Sequence, residues 1–579
     1  MKSLKLLFLI LVALYSCNQE KERKMDESTL NKEWWKELIV YQIYPRSFKD
    51  TNADGVGDLS GIIEKLDYIK SLGVNAVWLN PIYSSPNDDN GYDVSDYRNI
   101  MSDFGNMEDF DRMLKGMHDR DIKLIMDVVV NHSSDEHEWF KQSRSSRDNP
   151  YRDYYHWWPA EKGKPNYRYS LFDEKGEAWK YDSITDSYYL HYFSQKQPDL
   201  NWENPKLRQE VYDIMKFWAE KGVDGFRLDA FQFVAKDTTF PKFPEDLDKN
   251  FIQYYAMQDG LHDYLKEMDT EVFSKYNVMS VAEGAGRNFD DAHSLVDANR
   301  NELNMAYAFE GVDIAKPDGY DLKHFKEVYS KWDKEFSDDG WLAIFLANHD
   351  QARMVSRYGN DSAEYRNASA KMLNTFILSM RGTPFCYYGD ELGMTNIGFD
   401  SIGQYKDIAA INGYKKVEAQ GGDLNKYMSD LKFSSRDNGR TPMQWDQTIN
   451  AGFSSAESWL PANENFNEIN VSIEDTDQRS VLNHFRKMTA LRKNNEVLVY
   501  GDYKLLLAND PNIYAYTRTL NDTIMLVLLN FSEQQTDVHL DELKDSVELL
   551  INNLEGLQIA VNKATLKPYQ AVILQLKNN

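Results

Sequence analysis

Four carboxylic acids stand at or near the ends of short apolar segments: Asp127, Asp229, Glu283 and Asp350. Cleavage of a glycosidic bond needs one carboxylic acid to protonate the leaving oxygen and a second carboxylate to attack the anomeric carbon or activate water. Any one Asp at a strand end more often caps the helix that follows it. Four such acids in one chain favour a shared catalytic centre over four separate caps.

Basic side chains accompany these acids. Arg227 lies two residues before Asp229, so on a strand both side chains point to the same face. A guanidinium there favours the ionised form of Asp229, which suits a nucleophile better than an acid. His132 and His349 stand at the ends of two other apolar segments.

The acids belong to a repeating alternation of apolar and amphipathic segments. Strand-like segments that end in polar residues lie at 38–44, 76–80, 123–131, 225–229, 278–283, 305–310, 341–350 and 383–390. Helix-period patterns lie at 62–72, 109–120, 205–221, 256–276, 322–336 and 363–380. This alternation predicts an α/β fold, a closed (β/α)8 TIM barrel, with a doubly wound open sheet as the alternative. The barrel is favoured because barrel enzymes place their chemistry at the carboxyl ends of many strands.

Two segments interrupt the alternation. Residues 131–201 are rich in aromatic and polar side chains and too long for a simple loop, which predicts a small domain inserted after the third strand. Residues 500–579 carry short strand patterns separated by turn signals, which predict a C-terminal antiparallel β domain. The barrel is expected to span residues 33–130 and 202–495.

Charge and composition narrow the class of ligand. The formal net charge is −26, which disfavours nucleic acid and anionic substrates because both would be repelled. Aromatic residues make up 13% of the chain, which suits a ligand that stacks on rings. A small neutral oligosaccharide is therefore the expected partner. Two cysteines exclude a disulfide framework, and the sequence leaves the oligomeric state open.

The first 17 residues have the layout of an export signal. Lys2 and Lys5 precede an apolar run at 6–14, and Cys17 follows directly. The pattern resembles a bacterial lipoprotein signal, which predicts an exported protein in the periplasm or cell envelope with a possible lipid anchor at Cys17. Ordinary cleavage and a weak hydrophobic anchor are the alternatives. Residues 18–32 are then expected to form a linker.

Short motifs resemble the α-amylase superfamily, glycoside hydrolase family 13. The four signature regions lie in order at 127–132 (DVVVNH), 225–229 (GFRLD), 282–284 (AEG) and 348–350 (NHD). Two further signatures are 91–97 (GYDVSDY) and 197–201 (QPDLN). Residues 41–48 (YQIYPRSF) and 436–445 (RDNGRTPMQW) are similar to the oligo-1,6-glucosidase and α-glucosidase branch. The resemblance extends from about Trp34 to the C-terminus.

The resemblance implies catalytic roles. Asp229 is expected to be the nucleophile and Glu283 the general acid/base. Asp350 is expected to help distort the sugar and stabilise the transition state. Retention of configuration would follow if the two catalytic carboxyls lie about 5–5.5 Å apart.

It also implies a set of sugar-binding residues: Tyr92, Asp93, His132, Arg227, His349 and Arg436. Tyr92 would stack beneath the sugar and the two histidines would bond its hydroxyls. Asp93 and Arg436 would hold its far edge and close the pocket after one glucose unit. The implied activity is that of an exo-acting retaining α-glucosidase.

Residues 50–58 (DTNADGVGD) place oxygen-bearing side chains around a glycine turn. In the resembling branch this loop holds a structural Ca²⁺ ion. The expected ligands are Asp50, Asn52, Asp54, Asp58 and the carbonyl of Val56. An Asx-turn loop without a metal is the alternative.

Linkage preference and reaction type are less constrained. In this branch a Val after the nucleophile accompanies α-1,6 preference, whereas this chain has Ala230, which indicates α-1,4 or mixed linkage. Rival functions are a glucosyl-transferring or isomerising enzyme, a trehalose-6-phosphate hydrolase and a non-catalytic binding subunit. The complete set of three acids argues against the binding subunit.

Overall fold

Eight parallel strands close into a barrel in the computed structural model, which describes residues 32–544 and 547–577. The barrel strands are β1 (Val40–Ile43), β2 (Ala76–Leu79), β3 (Lys123–Val129), β4 (Gly225–Asp229), β5 (Met279–Ala282), β6 (Met305–Tyr307), β7 (Leu342–Ile344) and β8 (Thr383–Tyr387). β1 pairs in parallel with both β2 and β8, which closes the barrel. The predicted TIM barrel is confirmed.

Helices cover the outside of the barrel. Those that follow successive strands are Leu59–Glu64 with Leu66–Ser71, Met107–His118, Pro205–Lys221, Leu261–Met268, Phe289–Val296, Leu322–Glu335, Arg366–Ser379 and Val481–Lys493. Two more helices, Ile408–Ala419 and Leu424–Ser434, lie between β8 and the last of these. Among the described residues, no helix is long and apolar enough to cross a membrane.

Aromatic rings fill the barrel interior. Trp78 packs on Tyr307 and Phe385 with ring centroids 5.8 Å and 6.0 Å apart, and Tyr307 packs on Phe345 at 4.9 Å. All four rings are buried. This packed layer supports the side chains that project from the carboxyl ends of the strands.

The segment between β3 and helix Pro205–Lys221 forms a small antiparallel sheet, as predicted for an inserted domain. Its strands are Trp157–Pro159, Trp179–Asp182 and Ser187–Leu190. Two isolated bridges close it at its base, between His132 and Asp199 and between Tyr155 and Leu200.

The C-terminal part is antiparallel, as predicted. A five-stranded sheet contains, in spatial order, Asp502–Leu506, Ile513–Leu520, Thr523–Asn530, Ala571–Leu576 and Val547–Asn552. A three-stranded sheet contains Thr536–His539, Lys563–Leu566 and Gln558–Ala560.

The structure differs from the predicted elements mainly at their ends. The apolar segment 341–350 is strand only as far as Ile344, and Leu346 and Ala347 continue as buried loop. Burial produces the same apolar pattern in strand and loop, which is why the sequence overextends the strand. Four helices were missing from the prediction: Phe289–Val296, Ile408–Ala419, Leu424–Ser434 and Val481–Lys493.

Candidate active site

One buried guanidinium contacts three carboxylates at the carboxyl ends of β3, β4 and β5. Nη1 of Arg227 lies 2.7 Å from Oδ1 of Asp127 and 2.6 Å from Oδ1 of Asp229. Nη2 of Arg227 contacts Oε1 of Glu283. Arg227 and Asp229 therefore share one face of β4, as their spacing predicted. The two candidate catalytic carboxyls are held side by side on adjacent nitrogens of one group.

Solvent access separates these acids. The side chains of Asp229 and Glu283 are 10% and 21% exposed, whereas the Asp127 side chain is fully buried. Only the exposed pair can meet a substrate, so Asp127 is a positioning residue. Burial raises the pKa of Asp127 to about 6, and Arg227 opposes that shift.

The pKa of Asp229 corrects one expectation. Burial and the neighbouring Glu283 carboxylate raise the pKa of Asp229, and Arg227 only partly offsets them. The spacing of Arg227 and Asp229 in the sequence shows only the guanidinium, and the neighbouring carboxylate is apparent only in the fold. Three carboxylates around one cation leave an excess of negative charge, which disfavours the ionised form of Asp229.

Glu283 is oriented by the backbone that follows β4. Ala230, directly after Asp229, has φ 48°, and its N–H donates to Oε2 of Glu283 at 2.7 Å. This left-handed residue turns the chain out of the strand and into the short turn Phe231–Phe233. The left-handed backbone conformation of Ala230 therefore lies at the point where Asp229 and Glu283 come together.

Tyr92 and His349 form a stacked pair at the same end of the barrel. Their rings are 5.2 Å apart and nearly parallel, and the Tyr92 hydroxyl lies 2.7 Å from Nε2 of His349. The same hydroxyl donates to Oδ2 of Asp127 at 2.9 Å. Gln42 contacts the other ring nitrogen of His349 at 2.9 Å. Burial lowers the pKa of His349 to about 4, so the ring is neutral at pH 7.

His132 lies at the base of the inserted domain. Its Nε2 is 3.2 Å from the amide nitrogen of Gln197, and its ring packs on Phe193 at 4.9 Å. Burial lowers the pKa of His132 to about 3. A neutral imidazole in this position can exchange a hydrogen bond with a sugar hydroxyl without adding charge.

Of the three candidate acids, Asp350 has the most positively charged side chains around its carboxylate. Arg436 and Arg440 each approach its Oδ1, at 3.1 Å and 3.0 Å, and His349 lies 3.1 Å from its Oδ2. Burial alone would raise the pKa of Asp350, but these neighbours outweigh it and hold that pKa well below its usual range. Asp350 is therefore ionised at neutral pH.

Asp93 and Arg436 were each expected to hold the far edge of the sugar, but the Asp93 carboxylate is turned toward its own loop. The Asp93 carboxylate is buried and accepts the backbone N–H groups of Asp88 and Asp89, at 2.9 Å and 3.0 Å. Asp93 therefore stabilises the backbone of its own loop. Arg436 instead donates to Asp89 at 3.4 Å and contacts Asp407. Asp89, and not Asp93, is therefore the acid of this loop that contacts Arg436.

Several site residues were missed by sequence reasoning: Asp89, Asp407, Arg440, Gln42, and Asn80, whose Nδ2 donates to the Tyr92 hydroxyl at 2.7 Å. Asp89 and Arg436 are separated by 347 positions, and no spacing rule connects such residues. Arg440 stands within the motif 436–445, and that motif was the one available signal.

A cleft of about 830 Å³ opens beside Glu283. It is lined at the Glu283 end by Ala230, Gln232 and Gly284, and further out by Phe289 and Trp332. This volume suits a small ligand, and its aromatic wall suits a sugar ring.

The predicted metal loop is organised by hydrogen bonds to its acids. Asp50 accepts N–H groups of Asn52, Ala53 and Gly55 at 2.8–3.0 Å. Asp58 accepts from Gly61 at 2.7 Å and so caps helix Leu59–Glu64. Asn52 and Asp54 are exposed, and the backbone N–H of Val56 donates to Oδ1 of Asp54. Within the described parts of the chain, no group of three or more His, Cys, Asp or Glu side chains forms a metal cluster.

Comparison with known proteins decides the family. Residues 42–501 match the alpha amylase catalytic domain, and residues 503–573 match the maltogenic amylase C-terminal domain. The chain belongs to the alpha-amylase family. It is a glycoside hydrolase, and the resemblance stated from its motifs is confirmed.

Curated relatives and solved structures agree with this assignment. Oligo-1,6-glucosidase of Bacillus cereus is 48% identical and covers 95% of this chain and 100% of its own. Oligo-1,6-glucosidase of Parageobacillus thermoglucosidasius is also 48% identical, over 94% and 99%. The structure of isomaltulose synthase SmuA from Protaminobacter rubrum superposes with a TM-score of 0.91 at 42% identity, covering 94% and 100%.

The comparisons correct the predicted location. The relatives are oligo-1,6-glucosidases matched along their whole length, and they indicate neither an export signal nor a lipid anchor. The prediction of an exported, cell-envelope protein anchored at Cys17 is wrong. Its basis was the pattern of residues 1–17, which lie outside the described residues.

Proposed function

We propose that this protein is a retaining, exo-acting α-glucosidase that removes glucose from the non-reducing end of short gluco-oligosaccharides. The observation that carries the proposal is the contact of Arg227 with both Asp229 and Glu283. It holds a potential nucleophile and a potential acid side by side, and each has a solvent-exposed portion. The names of the relatives favour α-1,6 linkages, and Ala230 favours α-1,4 or mixed linkages.

In the first step Glu283 donates its proton to the glycosidic oxygen while Asp229 attacks the anomeric carbon. The bond to the leaving saccharide breaks and a glucosyl ester on Asp229 forms. Protonation of Glu283 beforehand removes one of the influences that raise the pKa of Asp229, which are burial, Glu283 and Asp127. A protonated Glu283 therefore favours an ionised Asp229, which is the combination that the first step requires.

In the second step Glu283 takes a proton from water, and the water oxygen attacks the glucosyl ester. Free Asp229 and α-glucose result, and the two inversions give net retention. Ionised Asp350 stabilises the positive charge that develops on the sugar ring. Arg436, held by Asp89 and Asp407, limits the pocket to one glucose unit.

The test is hydrolysis of maltose, isomaltose, sucrose and trehalose by the purified protein, with Asp229→Asn beside it. We expect glucose release by the wild type and a loss of at least about 10⁴-fold in the variant. The ranking of maltose and isomaltose decides linkage. If well-folded wild type leaves all four sugars intact, the proposal fails.

Isomerisation of sucrose is a second candidate, because isomaltulose synthase SmuA shares the fold with a TM-score of 0.91. Such an enzyme returns the glucosyl group to fructose instead of passing it to water. Chromatography of the sucrose reaction distinguishes them. Glucose and fructose in equal amounts indicate hydrolysis, and a new disaccharide indicates isomerisation.

We also propose a structural Ca²⁺ at the loop 50–58, bound by Asp50, Asn52, Asp54, Asp58 and the Val56 carbonyl. An all-oxygen ligand set supports this. The hydrogen bonds that already engage Asp50 and Asp58 act against it. If the ion binds, EDTA should lower Tm by several degrees and Ca²⁺ should restore it, whereas Asp54→Asn should be insensitive to both. An unchanged wild-type Tm would reject the ion.

A further inference from the structure

Gln42 lies on β1, and its buried side chain contacts the ring of His349. Nε2 of Gln42 lies 2.9 Å from Oδ1 of Asn80 and 2.9 Å from Nδ1 of His349. The NH2 group of an amide has two hydrogens, so it can donate to both atoms. A nitrogen that accepts such a bond carries no proton of its own. The orientation of this amide therefore decides where the hydrogen of His349 lies.

Asp127 fixes the orientation of two amides in turn. Its ionised carboxylate can only accept, and it accepts the Tyr92 hydroxyl at 2.9 Å. Nδ2 of Asn80 faces the same carboxylate and the Tyr92 oxygen, at 3.5 Å and 2.7 Å, and donates there. Oδ1 of Asn80 is then the acceptor on the other side, so the NH2 group of Gln42 and not its carbonyl oxygen must face it. The same NH2 group faces the imidazole ring.

Asp350 requires the same arrangement from the opposite side of the ring. Nε2 of His349 lies 3.1 Å from Oδ2 of Asp350 and 2.7 Å from the Tyr92 oxygen. The hydroxyl hydrogen of Tyr92 is donated to Asp127, so both neighbours of Nε2 accept. A proton on Nδ1 would instead meet the NH2 group of Gln42 and leave two acceptors facing a lone pair. The neutral ring therefore carries its hydrogen on Nε2.

We infer that Gln42 is a positioning residue that keeps Nδ1 of His349 free of a proton, so that the ring stays uncharged and donates from Nε2 to Asp350. An uncharged ring leaves the negative charge of Asp350 intact for the positive charge that develops on the sugar. A charged ring 3.1 Å from that carboxylate would offset it. The inference rests on the proposed function.

The charged groups around His349 act in both directions. Asp350 favours a second proton on the ring, whereas Arg227 and Arg440 disfavour it. Burial has the largest influence and lowers the pKa of His349 to about 4. The ring of Tyr44, stacked at 6.4 Å, adds no charge at neutral pH. The amide donor on β1 is directional, because it opposes a proton on Nδ1 alone.

The first experiment compares Gln42→Glu with Gln42→Met. Glutamate keeps the shape of the side chain but replaces the donor with an acceptor, which draws a proton onto Nδ1. The ring then either becomes charged or loses the hydrogen on Nε2. On the disaccharide that wild type cleaves fastest, we expect kcat of Gln42→Glu to fall about 10-fold to 100-fold, with a smaller change in KM. Gln42→Met keeps the length without the acceptor and should lose less than about fivefold. A role in packing alone predicts the opposite order.

The second experiment observes the ring by 15N NMR of protein labelled at histidine, since a ring nitrogen with a proton and one without resonate far apart. The spectrum of His349→Gln assigns the signal. We expect Nδ1 to be bare in wild type at neutral pH and protonated in Gln42→Glu. Asn80→Asp is the matched control. It adds an acid to the same hydrogen-bond network but still accepts from Gln42, so Nδ1 should stay bare.

Four results would overturn the inference. They are a protonated Nδ1 in wild type, a protonated Nδ1 in the control, a bare Nδ1 in Gln42→Glu, and a larger loss of kcat in Gln42→Met than in Gln42→Glu. The wild-type spectrum tests the inference even if a variant fails to fold. Wild type without activity on any disaccharide would reject the proposed function instead.

Discussion

At the scale of single residues, one guanidinium is shared among three acids of the site. Nη1 of Arg227 contacts Asp127 and Asp229, and Nη2 contacts Glu283. A lysine could not hold this geometry, because its ammonium is a single point charge. The guanidinium explains why two acids that repel each other can remain together in a buried site.

Ala230 gives a prediction at the same scale. It lines the cleft beside Glu283, so a larger side chain would narrow the space for the leaving sugar. We expect Ala230→Val to raise the isomaltose-to-maltose ratio of kcat/KM about tenfold. The φ of 48° disfavours a β-branched residue, but any strain is common to both substrates and cancels in the ratio. If steady-state assays show an unchanged isomaltose-to-maltose ratio of kcat/KM, Ala230 does not determine the linkage preference.

The limits of sequence reasoning are visible in particular residues. Arg227 and Asp229 were placed together because a period of two decides which strand side chains share a face. Asp93 was expected beside Arg436 at the far edge of the sugar, because the sequence does not show which of two nearby acids in a loop faces a distant residue. Only the folded structure shows that Asp93 faces its own backbone and that Asp89 faces Arg436.

At the scale of elements, helix Val481–Lys493 packs on helix Arg366–Ser379 through a buried histidine. Nε2 of His484 lies 2.8 Å from the Thr375 hydroxyl. Burial, with a smaller influence from Lys371, lowers the pKa of His484 to about 3. The folded protein therefore keeps this ring neutral across the range in which an unfolded histidine takes up a proton.

The contribution of His484 to the free energy of unfolding depends on pH. Between about pH 6.5 and 3 the unfolded state binds one more proton at this position than the folded state, so the contribution of His484 to stability falls as pH falls. From pH 7 to pH 5 the loss is about 2 kcal/mol. His484→Gln should be less stable at pH 7 and recover most of that difference by pH 5 in urea unfolding.

A control for this prediction is His324→Gln, because the His324 side chain is 53% exposed. Its stability at pH 7 should differ from that of wild type by less than about 0.5 kcal/mol. If His484→Gln and wild type differ by the same free energy at both pH values, the histidine titrates alike in the folded and unfolded states.

Periodicity identified the barrel strands and most helices, since each buries one face against the sheet. It failed for helix Phe289–Val296, which is only eight residues long. It also failed for the helix that carries His484, whose polar residues Asn483, His484 and Arg492 are buried as well. Burial of polar side chains hides the amphipathic pattern.

At the scale of the whole molecule, arginine side chains join the barrel to the C-terminal β domain. Arg518, on strand Ile513–Leu520, donates to the carbonyls of Ser379, Leu498 and Gly501 at 2.6–3.1 Å. Ser379 ends the helix Arg366–Ser379, so this cation also satisfies a helix C-terminus. The β domain is thereby attached to the layer that supports β8.

Arg518→Met should leave these carbonyls without a donor and lower the free energy of unfolding by about 3 kcal/mol. Urea unfolding measures the loss. Arg479→Met is the control, because the Arg479 side chain is 78% exposed and should change stability by less than about 0.5 kcal/mol. Equal stability of the two variants would show that the buried cation does not hold the domains together.

The central claim is that the reaction passes through a glucosyl ester on Asp229. The most direct measurement is proton NMR of the first glucose released from the disaccharide that the enzyme cleaves fastest, before mutarotation. With Asp229 as the nucleophile, α-glucose should appear first and β-glucose should accumulate only later. If β-glucose appears first, water attacks the sugar directly with inversion, and the role of Asp229 as nucleophile is contradicted.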